Sequence, residues 1–284
     1  MKIASVRRAR RFLASLLIGG GIASAAPTGA AAPPPPVVVF SRNLPAFFEN
    51  LGQLVASEKI TQTLINETNA AVARRRVLES DFEVSHLAED PSALWEFRFV
   101  TTVDGKPSGT DRAVEDFFRL KQPSAAAERG RIVQLAIGKS LPGCYWHNLT
   151  VMLQAFGEQN LSNFDWKPSG TGFAFEQTRG VGISENPFDA RAPRHFPAGR
   201  LELSEDGKWP RRLDMTFLTG PRQAHVILTF SAPGTPGAGA ALPLRYEAMH
   251  ENLRTRFVVD RAIFEYSNFR RFTVSTEPSL PPAP

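Results

Sequence analysis

The chain has 284 residues, 42% of them hydrophobic, and a single cysteine, so one large core is within reach and an internal disulfide is not. Its formal charge of +5 reflects 33 Lys+Arg against 28 Asp+Glu, and the whole surplus sits in Lys2, Arg7, Arg8, Arg10 and Arg11. Without those five the chain is formally neutral, which excludes the net basic footprint of a nucleic-acid binder.

Residues 1–25 are organised as an export signal: the five basic residues, the apolar run 12–22 and the small-residue end Ala23-Ser24-Ala25. Cleavage after Ala25 and a soluble periplasmic or extracellular product are the expectations. Arg10-Arg11-Phe12-Leu13 lacks the residue that normally separates a twin-arginine pair from its Phe, so ordinary export is expected. No later stretch approaches the about 18 apolar residues of a spanning helix. Residues 26–40, rich in Ala and Pro, read as a semi-rigid extended linker, residues 41–275 as one domain, and residues 276–284 as a proline-rich tail.

Between Leu44 and Val55 the apolar residues Phe47, Phe48, Leu51, Leu54 and Val55 recur at helical spacing, with Ser41 or Asn43 available as a cap. Strands are predicted over 59–66, 76–86 and 94–103, the last alternating Trp95, Phe97, Phe99 and Val103 with Glu96, Arg98 and Thr102 before the turn Asp104-Gly105. A helical middle follows at 114–118 and 125–137. A third helix starts near Asn148 as its cap, with Leu149, Met152, Leu153 and Phe156 on one side. The second half returns to strands at 173–178, 199–204, 211–218, 224–230 and 242–250, joined by short turns into an antiparallel meander.

The final run, 260–274, is the longest β-type stretch. Ala262, Phe264, Tyr266, Phe272 and Val274 alternate with Glu265, Ser267, Arg271 and Thr273, whereas Ile263 and Phe269 break the pattern. A strand this long needs a bulge or bend, placed at Ser267-Asn268-Phe269. By parity Arg270 would point at the apolar face unless that bulge returns it to solvent. It is therefore either a surface residue or a candidate headgroup contact.

The order of leader, amphipathic helix, three strands, Asp104-Gly105-Lys106-Pro107, helical insert and a meander ending in Tyr266-Ser267-Asn268-Phe269-Arg270-Arg271-Phe272 resembles a group of uncharacterised bacterial exported proteins. That group is similar in turn to the periplasmic lipoprotein carriers and outer-membrane lipoprotein-sorting proteins. The resemblance implies an α+β fold: a strongly curved, unclosed antiparallel sheet, or half-barrel, with a small layer of helices on its concave side around an apolar cavity. It implies no catalytic residues. Members of the group tend to have a Cys where this chain has Ala56.

No arrangement of residues specifies catalysis, a metal or a cofactor. Cys144-Tyr145-Trp146-His147 brings a thiol and an imidazole close in sequence, but such pairs usually come from distant segments, and a Cys packed among aromatic residues is the simpler reading. His86, His195, His225 and His250 have no ligand spacing. Gly180-Val181-Gly182 lacks the rest of a phosphate loop, and Arg74-Arg75-Arg76 reads as a solvated charge run, with a lipid headgroup or membrane surface as the other reading.

The function expected is a non-enzymatic binder or carrier of an apolar ligand, a lipid or lipoprotein acyl group, held by Trp95, Phe97, Phe217, Phe230, Tyr246, Phe264 and Tyr266. The alternative is a structural or interaction module of the cell envelope that joins a protein partner and takes no small ligand.

Overall fold

The computed structural model describes residues 32–86, 94–109, 138–144, 148–184, 194–234 and 240–271. The leader, the expected helices at 114–118 and 125–137, Tyr145-Trp146-His147 and the proline-rich tail lie outside them.

In chain order the elements are helix α1 (Pro35–Leu51) and strands β1 (Leu54–Ile65), β2 (Val72–His86), β3 (Leu94–Val103) and β4 (Lys106–Pro107). Helix α2 (Leu149–Gln154) and a 3-10 turn (Glu158–Asn163) lead into β5 (Phe164–Ser169), β6 (Gly172–Gln177), β7 (Ile183–Ser184) and β8 (Arg194–His195). The chain continues through β9 (Ala198–Leu203), β10 (Pro210–Thr219), β11 (Arg222–Phe230), β12 (Pro243–Asn252) and β13 (Val258–Arg271). Strands β7 and β8 pair with each other, and the other eleven form one antiparallel sheet in the order β4-β3-β2-β1-β13-β12-β11-β10-β9-β6-β5. The sheet is open, with β4 and β5 at its edges. Twist accumulated over so many strands curls a sheet, and the order fits a half-barrel.

Two meanders of sequential hairpins, β1 to β4 and β9 to β13, meet where β13 pairs with β1, matching Ile60 to Phe264 and Gln62 to Ala262. The last described strand is thus central, with β12 on its other side. Alternation along the strands gives one continuous buried face, on which Ala56 and Ile60, Leu78 and Phe82, Ala262 and Phe264, Tyr246 and Ala248 come together.

Helix α1 differs from its expectation at both ends. It begins at Pro35 rather than near Leu44, because Pro at the first helical positions has its φ already set and no missing bond to regret. Val37 and Phe40, fully buried, then belong to the packed domain, and the expected linker over 26–40 gives way to helix at Pro35. At the other end the helix closes at Gly52, and Leu54 and Val55 start β1, which begins five residues before the expected Lys59. Val37, Phe40, Leu44, Phe47, Phe48 and Leu51 all face the same core as the sheet. Asn148 stands at the N-cap of α2 but makes no side-chain cap bond there. Glu96 of β3 caps this helix instead, accepting the Thr150 backbone N–H at 2.6 Å.

The bulge in the final strand is present. Val55 faces Arg270 and Ser57 faces Ser267, so β13 carries one residue more than β1 across that step. Asn268 takes up the extra residue with φ +51°. Beyond it Phe269 turns toward Leu54 and Leu242, while Arg270 is exposed and pairs with Asp81 at 3.2 Å. Arg270 therefore does not enter the apolar face and stands in a surface ion pair.

Candidate functional site

The buried face is aromatic across much of its width. Tyr246 and Phe264 are register partners on β12 and β13 and stack with centroids 4.7 Å apart. Tyr266 lies 5.1 Å from Phe82, Phe230 meets Phe47 of α1 edge-on at 6.0 Å, and Phe217 stacks on His195 at 5.8 Å. Five of the seven rings expected to line a site, Phe217, Phe230, Tyr246, Phe264 and Tyr266, thus share one buried cluster, packed on each other and on α1.

Phe97 is not among them. Glu96, Arg98 and Val100 are the β3 residues that face this core, so the period of two puts Phe97 on the opposite face of the sheet, where it stacks on Phe99 at 6.3 Å. The alternation expected for β3 is right and its phase is reversed, because the rings of this strand are buried on the outer side and its charges on the inner. Trp95 lies on β3 opposite Ser85, with its side chain outside the described residues.

What β3 contributes to the core is a charged cluster. Arg98 Nε donates to Glu58 of β1 at 3.1 Å and Arg98 Nη2 to Glu96 at 3.1 Å, and all three side chains are out of water, at 4%, 0% and 0% exposure. The Ser80 hydroxyl donates to the second Glu58 oxygen at 2.8 Å. Glu96 Oε1 also accepts the Thr150 hydroxyl at 2.9 Å. The guanidinium lies over the rings of Phe82 and Phe264, 5.0 and 5.4 Å from their centroids, so its faces are covered by π clouds while its edges meet carboxylates.

Burial is the largest influence on Glu58 and raises its pKa above the ordinary 4.5, with Arg98 and Ser80 opposing and Glu96 adding to the rise. Burial works against the charge on Arg98, but Glu58 and Glu96 outweigh it and raise its pKa. Tyr266, register partner of Glu58, has its own pKa raised by burial and by that carboxylate. Its hydroxyl is buried without a hydrogen-bond partner among the described residues.

A second buried group surrounds Asp260. His250 Nδ1 is 2.8 Å and Arg222 Nη1 3.2 Å from its carboxylate oxygens, and the Cys144 thiol lies 4.0 Å away. Burial, then Asp260, pushes the thiol up to about 12, so Cys144 is protonated and unreactive at neutral pH. No group of three His, Cys, Asp or Glu among the described residues could hold a metal.

Neither cluster is anticipated by the sequence reading. Glu-x-Arg on one strand does put both charges on the same face, but Arg245-x-Glu247 of β12 has the same pattern and pairs at the partly exposed surface. The only further hint is that Glu58 falls at the buried parity of β1, between Ala56 and Ile60.

An open antiparallel half-barrel with an aromatic core around a buried Arg–Glu cluster is the class that fold and site define. No family model and no curated protein matches the chain. Among solved structures it is similar to a DUF1329 family protein from Desulfovibrio piger, at 10% identity and a TM-score of 0.37, over 85% of this chain and 95% of that one.

Proposed function

We propose that the chain is an exported, non-enzymatic binder or carrier of an apolar ligand, a lipid or the acyl part of a lipoprotein, acting in the periplasm or beyond. In this reading α1 and α2 form a layer on the concave side of the half-barrel, and α1 is the part a ligand displaces. The observation that carries it is how α1 is held. Its contacts with the core are apolar, through Phe40, Phe47, Phe48 and their neighbours, and its polar side-chain ties to other described elements are an exposed Arg42–Glu158 pair and an Asn43 bond to the Lys208 carbonyl. Exposed pairs contribute little. An acyl chain can replace the apolar contacts of a helix at small net cost, because dispersion and burial are not directional. The Tyr266 hydroxyl would supply a hydrogen bond to a polar group at the ligand's end.

The packing itself favours one other reading, an envelope interaction module without a small ligand, since all five clustered rings are 6% exposed or less. Displacement of a fluorescent fatty-acid probe separates the two, compared between the wild-type chain and Phe47→Ala. Phe47 lies 6.0 Å from Phe230 and 6.4 Å from Trp209, so removing its ring loosens α1. If the helix competes with the ligand, the variant binds the probe more tightly, since the competent state becomes more populated. Absence of probe binding by both proteins would reject the carrier reading.

A further inference from the structure

We propose that one end of the half-barrel, formed by the tips of three hairpins, is a docking surface for an anionic lipid bilayer. Because neighbouring strands are antiparallel, the turns β1/β2, β12/β13 and β10/β11 emerge at the same end: Leu64 faces Asp260 across β1 and β13, and Arg222 faces Asn252 across β11 and β12. They are tied together there. The Leu253 N–H donates to the Pro221 carbonyl at 3.0 Å, and the Asn252 side chain donates to Glu67 at 2.8 Å. Asn252 also organises its own turn, accepting the Arg254 N–H on its side chain at 2.9 Å and the Arg256 N–H on its carbonyl at 2.8 Å. At about 4.8 Å per strand, the six strands from β2 to β10 make this end on the order of 24 Å wide.

Exposed apolar side chains are concentrated at this end. Of the eight large exposed hydrophobics among the described residues, Val72, Leu218, Leu253 and Phe257 stand on these three hairpins, and Val181 and Phe196 stand on the connections beside β6 and β9 at the same end. Only Val39 and Leu244 are elsewhere, so this is not the ordinary scatter of single exposed residues.

Cations accompany them. Arg74, Arg75 and Arg254 are exposed, and no carboxylate of the described residues pairs with them. Of the described acids on and beside the three hairpins, Glu67 accepts from Asn252, Asp104 pairs with Arg76, Glu251 with Arg256, and Asp260 with His250 and Arg222, while Glu176 at the end of β6 is exposed. Uncommitted arginines beside projecting apolar tips match a bilayer interface, where the apolar groups enter the headgroup boundary and the guanidinium groups meet lipid phosphates. A protein partner is the weaker match, because these residues stand at the tips of separate hairpins. The surface is independent of the apolar-ligand reading and would hold for a module without a ligand.

The test is co-sedimentation of the purified chain with vesicles of equal parts phosphatidylglycerol and phosphatidylcholine, and with phosphatidylcholine alone. The expected result is binding to the anionic vesicles only, weakened at about 0.5 M salt, where screening is strong. The triple variant Arg74→Ser, Arg75→Ser, Arg254→Ser should lose about fivefold per arginine, on the order of a hundredfold together. Leu253→Ser with Phe257→Ser should weaken binding at both salt concentrations. All variants keep the same N-terminus, so the basic leader cannot account for a difference, and unchanged circular dichroism shows that they fold. No binding to anionic vesicles overturns the proposal and leaves an acidic protein as the occupant of this end. Equal binding to both vesicle types, or binding unchanged by the triple variant, overturns it as well.

Discussion

Arg98 of β3 and Glu58 of β1 meet at 3.1 Å across the intervening strand β2, in a part of the core from which water is excluded on every side. The pair is held by its surroundings: Ser80 on Glu58, Glu96 on the far side of the guanidinium, and two aromatic rings over it.

Removing the arginine therefore costs far more than an exposed pair would suggest. Arg98→Leu leaves Glu58 and Glu96 buried without a counter-charge and should lower unfolding free energy by about 3–5 kcal/mol. Urea denaturation measures this. Arg98→Leu combined with Glu58→Leu and Glu96→Leu should recover much of the loss, because the penalty lies in the orphaned carboxylates; no recovery would mean that the cluster is net stabilising.

The pH dependence of stability carries the mark of Glu58. Its folded pKa is raised above the 4.5 of the free group, so the folded chain holds this proton more tightly than the unfolded chain. The associated stability is complete below about pH 4.5 and is lost as pH rises through the folded value. Glu58→Gln keeps the acceptor for Arg98 and removes the titration. The stability of this variant relative to wild type should rise between about pH 4.5 and pH 8, and a flat difference would show that Glu58 ionises normally in the fold.

The bulge in β13 makes two opposed demands. Asn268 sits at φ +51°, where Gly is at ease and a β-branched residue is not, so Asn268→Gly should be nearly neutral and Asn268→Ile should cost about 1–2 kcal/mol or more. Arg270→Met, at an exposed pair beyond the bulge, should change stability by under about 0.5 kcal/mol. Thermal or urea unfolding checks all three, and a large loss for Arg270→Met would contradict the surface placement.

Cys144 should be inert while the chain is folded. With the thiol pushed up to about 12 and buried beside Asp260, alkylation by iodoacetamide at neutral pH should be much slower than for a free cysteine. It should become rapid in denaturant. Fast modification of the native chain, read by mass spectrometry, would point to an accessible thiolate instead.

Local chemistry was legible in the sequence wherever it depended on neighbours along the chain. The alternation of β10 and β13, the turn after Val103 and the bulge at Asn268 all follow from a backbone that repeats every two residues and a strand too long to stay regular. Tertiary structure alone decided which face of a strand is inside. On β3 both parities end up covered, so Phe97 and Arg98 each had a plausible claim, and the choice depended on Glu58, forty residues earlier, being two strands away. The same holds for β13, which could have closed an edge but lies between β1 and β12, and for Pro35 and Pro36, which read as tether until the sheet offers Val37 and Phe40 a surface to bury. Burial, and with it the sign of every cost for a charge or ring, belongs to contacts between segments far apart in the chain, and no local pattern encodes it.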